Sequence, residues 1–198
     1  MSSHLAQRLD QILPRVTAPD FLSSTGIGNE IACYIFDYPA TEELAVRAHI
    51  DFLRKRFASH HPELAVLHID LLETIQRYLE QRNLFAKALE MEGNKGSTGL
   101  LRALKSPLAA EKVRDFIAEA DQPAEQDLVL MSGVGSVWPM LRAHNLLNCL
   151  HTILGSTPLV LFYPGRFDGR TLRLFDQIES ADTRPGDRAY YRAFSLLS

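Results

Sequence analysis

The sequence predicts an α/β fold, Rossmann-like, with a largely parallel central sheet flanked by helices on both faces. Three observations carry this. Short apolar runs at residues 31–38, 64–69, 128–132 and 158–163 have the length and composition of strands covered on both sides. The segments between them are longer and place apolar residues at helical spacing. Strands that alternate with helices pair in parallel, because each crossover helix carries the chain back to the edge where the preceding strand began.

Taken in order, IACYIFDY (31–38) is the first strand, and Pro39 ends it. Thr41 is expected to cap the helix that follows. Val46, Ile50, Leu53 and Phe57 form one stripe along it, with Glu42 and Glu43 in its first turn and Arg54, Lys55 and Arg56 in its last. LAVLHI (64–69) is the second strand and leads to Asp70. A helical segment at about 71–120 follows. It begins with Leu72, Ile75 and Leu79, breaks near Asn83, and resumes with Phe85 and Leu89. A glycine loop at 93–99 is expected to separate this from a short helix at about 98–105. Ser106 and Pro107, a capping hydroxyl and a first-turn proline, are expected to start the helix carrying Val113, Phe116 and Ile117. LVLMS (128–132) is the third strand, followed by a helix at about 138–151 and by PLVLFY (158–163) as the fourth. Residues 171–175 and 190–196 are expected to be short strands joined by the polar QIESADTRPGDRA. The whole of 1–198 is read as one domain.

The composition is that of a globular protein, with 46% hydrophobic and 23% charged residues. A formal charge of −3 supplies no global positive field for nucleic acid. Cys33 and Cys149 lie far apart in apolar runs, so reduced, buried thiols are expected. MSSHLAQRLDQIL mixes charge with leucines and has no apolar leader core, and no run approaches the ~20 residues of a membrane span. A cytoplasmic protein without membrane contact is expected.

In parallel sheets ligands bind beyond the carboxyl ends of the strands. Asp37-Tyr38, Asp70, Ser132 to Gly135 and Tyr163 to Arg166 converge there. MEGNKGSTGLLRAL (91–104) resembles a phosphate loop only superficially. Lys95 precedes Gly96, whereas a P-loop lysine must follow the last glycine, and the preceding segment is helical rather than a strand. A helix–helix turn with left-handed glycine is favoured. SGVGSVWP is better placed, following a strand and opening a helix, so Gly133, Gly135 and Ser136, with Asp37, are the ligand-binding candidates. It lacks the third glycine and the distal acid of a dinucleotide site, and a tight packing turn is favoured over a ligand. Ser132 and Ser136 have no base evident in the sequence, and no nucleophile elbow occurs. His144 and His151 are seven apart, too far for a helical zinc pair, and core or partly buried histidines with hydrogen-bond partners are favoured. Asp37 and Asp70 suit Mg²⁺ binding, acid–base work or helix capping, with capping favoured. No catalytic residue, metal or cofactor is therefore expected. Arg166, Phe167, Asp168, Arg170 and Arg173, around PGRFDG, mix basic and aromatic side chains as both protein interfaces and nucleic-acid surfaces do. A protein partner is favoured. A strand-end turn at Pro164-Gly165 is expected to project Arg166, Phe167 and Arg170 outward, with Leu172 and Leu174 returning inward.

Four blocks, GIGNEIACYIFDY, SGVGSVWPMLRAHNLLNCL, PLVLFYPGRFDGRTLRLF and YYRAFSLL, together resemble the BrxB family. The resemblance runs from about Phe21 to Leu196. QIESADTRPGDRA is longer than the family's usual link and reads as a surface insertion. The resemblance implies a role in BREX, a bacteriophage-exclusion system that also contains a DNA methyltransferase, a large ATPase and a PglZ protein of the alkaline-phosphatase superfamily. The family brings no established catalytic residues. The expectation is a non-catalytic assembly component that binds other BREX subunits, the PglZ-type protein first and the large ATPase second. A nucleotide- or phosphate-binding regulatory subunit and a DNA-contacting subunit are the alternatives.

Overall fold

The computed structural model describes residues 2–22, 33–169, 171–176 and 193–197. The chain opens with three short helices, α1 (Ser3–Asp10), α2 (Ile12–Val16) and α3 (Pro19–Leu22). Strand β1 (Cys33–Tyr38) leads through a 3-10 turn into α4 (Glu43–His60), and then comes β2 (Val66–Asp70). Three helices follow, α5 (Leu71–Gln81), α6 (Phe85–Leu104) and α7 (Ala110–Asp121). Next are β3 (Leu128–Ser132), α8 (Val134–Val137), α9 (Ala143–Leu154), β4 (Leu159–Phe167), β5 (Leu172–Leu174) and β6 (Ala193–Ser195).

The sheet order is β2-β3-β4-β1-β6, with every pair on that path parallel. β5 pairs antiparallel with the end of β4. Side-chain alternation along the strands makes two cores. Tyr34, Phe36, Leu128, Leu130, Val160 and Phe162 face α1 to α4, where they meet Leu5, Leu9 and the α4 stripe Val46, Ile50, Leu53 and Phe57. Ile35, Ile69, Val129, Met131, Leu159 and Leu161 face the other way, onto α5, α7, α8 and α9. The expected Rossmann-like, largely parallel sheet between two helix layers is what forms.

Several boundaries differ from the expectation. Thr41 lies in the 3-10 turn and caps nothing, because α4 starts two residues later with no side-chain cap. Leu71, not Leu72, is the buried residue opening α5, and Leu89 is exposed. The glycine loop shrinks to a kink at one residue, Gly96 (φ 65°), inside α6. Ser106 and Pro107 sit in the turn before α7, which starts at Ala110. The helix expected at 138–151 starts later, at Ala143, and a separate one-turn helix, α8, precedes residue 138; between them Pro139 lacks an N–H and restricts Trp138 to an extended backbone (ψ 138°). β4 runs on through Phe167 instead of turning at Pro164-Gly165. QIESADTRPGDRA, Arg170 and the side chain of His144 lie outside the described residues. No described helix is long and apolar enough to cross a membrane.

Candidate functional site

The carboxyl edge of the sheet is built in two halves. At the centre, Asp37 near the end of β1 is held from both sides. Arg8 of α1 donates to its Oδ1 at 2.7 Å and to its backbone oxygen at 2.8 Å, while lying over the Phe36 ring. The Phe167 amide donates to Asp37 Oδ2 at 3.2 Å. Asp37 thus tethers the N-terminal helix and the β4–β5 hairpin to one strand end, and its two oxygens are committed to those groups. Among the described residues no group of three metal-ligating side chains occurs.

β4 can carry β5 because of Gly165. A Cβ there would lie 2.0 Å from the Arg173 carbonyl oxygen, so only glycine lets the strands approach. Pairing runs Gly165–Leu174, Arg166–Arg173 and Phe167–Leu172. The turn is closed by Asp168, which accepts from the Thr171 amide at 2.7 Å and its hydroxyl at 2.6 Å, with Gly169 at φ 85°. Arg166 points into solvent and pairs with Asp176 at 3.0 Å; Arg173 stands 3.9 Å from Asp168. Phe167 does not project outward as expected: it is half-buried against the core, as is Leu172, and Leu174 is buried. Alternation along a strand puts neighbours Arg166 and Phe167 on opposite faces.

The other half lies over β2 and β3. Asp70 accepts from the Leu72 and Glu73 amides at 2.9 and 3.3 Å and so caps α5. Gly133 takes φ 83° directly above it. At Gly133–Ser136 the backbone forms the tight packing turn that the sequence reading favoured over a ligand loop. α8 is one turn, and the Ser136 amide donates to the Gly133 carbonyl at 3.0 Å instead of facing outward. Gly135 is glycine because the Phe175 ring and Pro164 would lie 3.1 Å from a Cβ. Ser136 Oγ accepts from Arg47 Nη2 at 2.7 Å, and Arg47 Nε donates to Glu43, which also accepts from the buried Tyr38 hydroxyl at 2.6 Å. Burial, then the Glu43 contact, pushes the Tyr38 phenol far above its ordinary range.

Ser132 meets two ionisable side chains across the sheet. His68 Nε2 lies 2.9 Å from Ser132 Oγ, and Asp70 Oδ2 lies 3.5 Å from it. Burial, and then the Arg54 guanidinium, push the His68 pKa down. The signal available in the sequence was the spacing of His68 and Asp70, two apart on one strand and therefore on one face. Their meeting with Ser132 depends on the Asp70–Ser132 register. His151, expected to be at least partly buried, is instead exposed in the last turn of α9. Cys33 and Cys149 are unpaired and half-buried, and burial pushes the Cys33 thiol up to about 12.

Exposed apolar side chains follow several of the strand ends, and two of them, Trp138 and Phe175, are in contact. Six large ones are exposed among the described residues, and four of them follow strand ends: Leu44 (81%), Leu72 (42%), Trp138 (47%) and Phe175 (38%). The sequence reading leaves Leu44 unnamed, places Leu72 on a buried helical stripe, and takes Trp138 and Phe175 as parts of a helix and a strand, so it does not single out their exposure.

Comparison with known proteins agrees along the whole chain. The family model described as BREX protein BrxB matches residues 67–196. A BREX protein BrxB of Bacillus cereus (strain H3081.97) is 38% identical over 193 residues, covering 96% of each chain. A BREX protein BrxB of Escherichia coli O9:H4 (strain HS) is 39% identical over 193 residues, covering 98% of this chain and 92% of its own. No solved structure matches. By the family match and by both relatives, the chain belongs to the BrxB family of BREX proteins.

Proposed function

We propose that this chain is an assembly component of a BREX phage-defence complex and acts by protein–protein contact through the carboxyl edge of its sheet. The supporting observation is the set of exposed apolar side chains that follow strand ends, Leu44, Leu72, Trp138 and Phe175, the last two in contact, together with the exposed Arg166. Exposed apolar clusters mark interaction sites, and Trp and Arg are the residues that most often anchor them. Two groups that could have met a small ligand are engaged within the chain. Arg8 occupies the end of β1, and the Ser136 amide is spent inside α8. The PglZ-type protein is the first partner and the large ATPase the second.

Expression of the complete operon with this chain tagged tests the reading. The PglZ-type protein is expected to co-purify, and deleting its gene should remove it without removing the tagged chain. Recovery of the tagged chain with no other BREX subunit at low salt would overturn the assembly role.

A further inference from the structure

Three polar residues are buried among those described: Thr74, Ser132 and Thr157. Thr74 donates to the Asp70 carbonyl at 2.8 Å and Thr157 to the Gln126 carbonyl at 2.9 Å, as hydroxyls do when they only satisfy backbone. Ser132 alone turns its oxygen toward ionisable side chains, His68 and Asp70. A hydroxyl has one proton to give. Asp70 Oδ1 already accepts two helix amides and its Oδ2 stands 3.5 Å away, whereas His68 Nε2 is at 2.9 Å. In the tautomer with its hydrogen on Nδ1, the neutral imidazole accepts the Ser132 proton at Nε2 across the 2.9 Å contact; in the other tautomer Nε2 donates and the Ser132 proton goes to Asp70. Burial and the Arg54 guanidinium favour that neutral form. A serine bonded to a neutral imidazole at this distance has the arrangement of a base-activated nucleophile.

We propose that Ser132 is a nucleophile with His68 as its general base, and that it accepts a small acyl group from an activated carboxylic ester. Oγ bonds to the acyl carbon, the carbon–oxygen bond to the alcohol breaks, and the Ser132 proton passes to His68 Nε2 and then to the departing alkoxide. Water can reverse the attachment by the same route, releasing the acid and returning the proton to Ser132. Arg47 donates to Ser136 Oγ in the turn that follows β3, and Arg54 acts on His68 through its charge. With Ser132 only 4% exposed, the acyl group must be small. This site is separate from the docking reading and does not depend on it.

The test is incubation of the full chain with p-nitrophenyl acetate, followed by intact mass and peptide mapping. Acetyl is expected on Ser132 with release of nitrophenolate. His68→Gln, which keeps a hydrogen-bonding group but removes the base, is expected to slow Ser132 acetylation by about 100-fold or more. Wild-type protein acetylated only at lysines, the α-amine or other hydroxyls overturns the proposal. Equal acetylation of Ser132 in a folded His68→Gln variant overturns the assignment of His68. The wild-type arm does not depend on any variant folding.

Discussion

Trp138 and Phe175 meet edge-to-face, with ring centroids 6.1 Å apart and planes at 87°, although they belong to different segments of the chain. Phe175 reaches that position with a left-handed backbone (φ 54°) and with its amide bonded to the Pro164 carbonyl at 2.9 Å. The contact joins the α8 turn to the β4–β5 hairpin, so the two loops at the sheet edge present one surface. The pair is partly exposed, is backed by Gly135, against which the Phe175 ring packs, and is taken as the anchor in the docking proposal.

The hairpin depends on Gly165. Gly165→Ala is expected to drive β5 off β4 and destabilise the protein by about 1–3 kcal/mol, the usual cost of overpacking a close contact. Urea unfolding reads the loss. An unchanged midpoint would mean that β5 does not need its close approach.

Asp37 is the tether between the N-terminal helix and the hairpin. Asp37→Asn removes the ion pair to Arg8 and is expected to cost about 1–2 kcal/mol, as loss of a partly buried charged hydrogen bond does. Hydrogen exchange locates the effect. The Phe167 amide should exchange faster, while amides in the middle of β3 stay protected. Uniform acceleration would contradict a local tether.

Two histidines give stability a pH dependence. His68 is held below its ordinary value by burial and then by Arg54, and His49 by burial, with its Nε2 enclosed and without a partner. The unfolded chain, with histidines near about 6.5, binds protons more readily than the folded one. The stabilisation is therefore complete above about 6.5 and is lost as pH falls through the folded values. The melting temperature should fall between about pH 7 and 5, and His68→Gln should flatten the slope. A variant with the parental slope would show that His68 does not carry the effect.

What was legible in the sequence follows from which contacts are local. The α4 stripe of Val46, Ile50, Leu53 and Phe57 is one period repeated over several turns, and burial of that face fixed its reading. The four apolar runs were equally plain, since a strand covered on both faces has little choice of composition. Capping signals did worse. Asp70 caps as expected, but Thr41 and Ser106 do not, because neighbouring turns took over the helix starts. Pro164 looks like a terminator, yet β4 continues, because the missing Cβ of Gly165 admits a strand whose identity lies several residues further on. His68 with Ser132, and Trp138 with Phe175, required sheet register and hairpin return, which no local pattern contains.

The docking account is tested most directly by titrating the purified PglZ-type protein into this chain and into its Trp138→Ala, Phe175→Ala double variant, with melting curves run in parallel. Loss of two exposed anchors is expected to cost about 2 kcal/mol or more of binding, about 30-fold in affinity, while the melting temperature stays near that of the parent. A folded double variant that binds the PglZ-type protein and the large ATPase as tightly as the parent, and still restricts phage, would contradict the account.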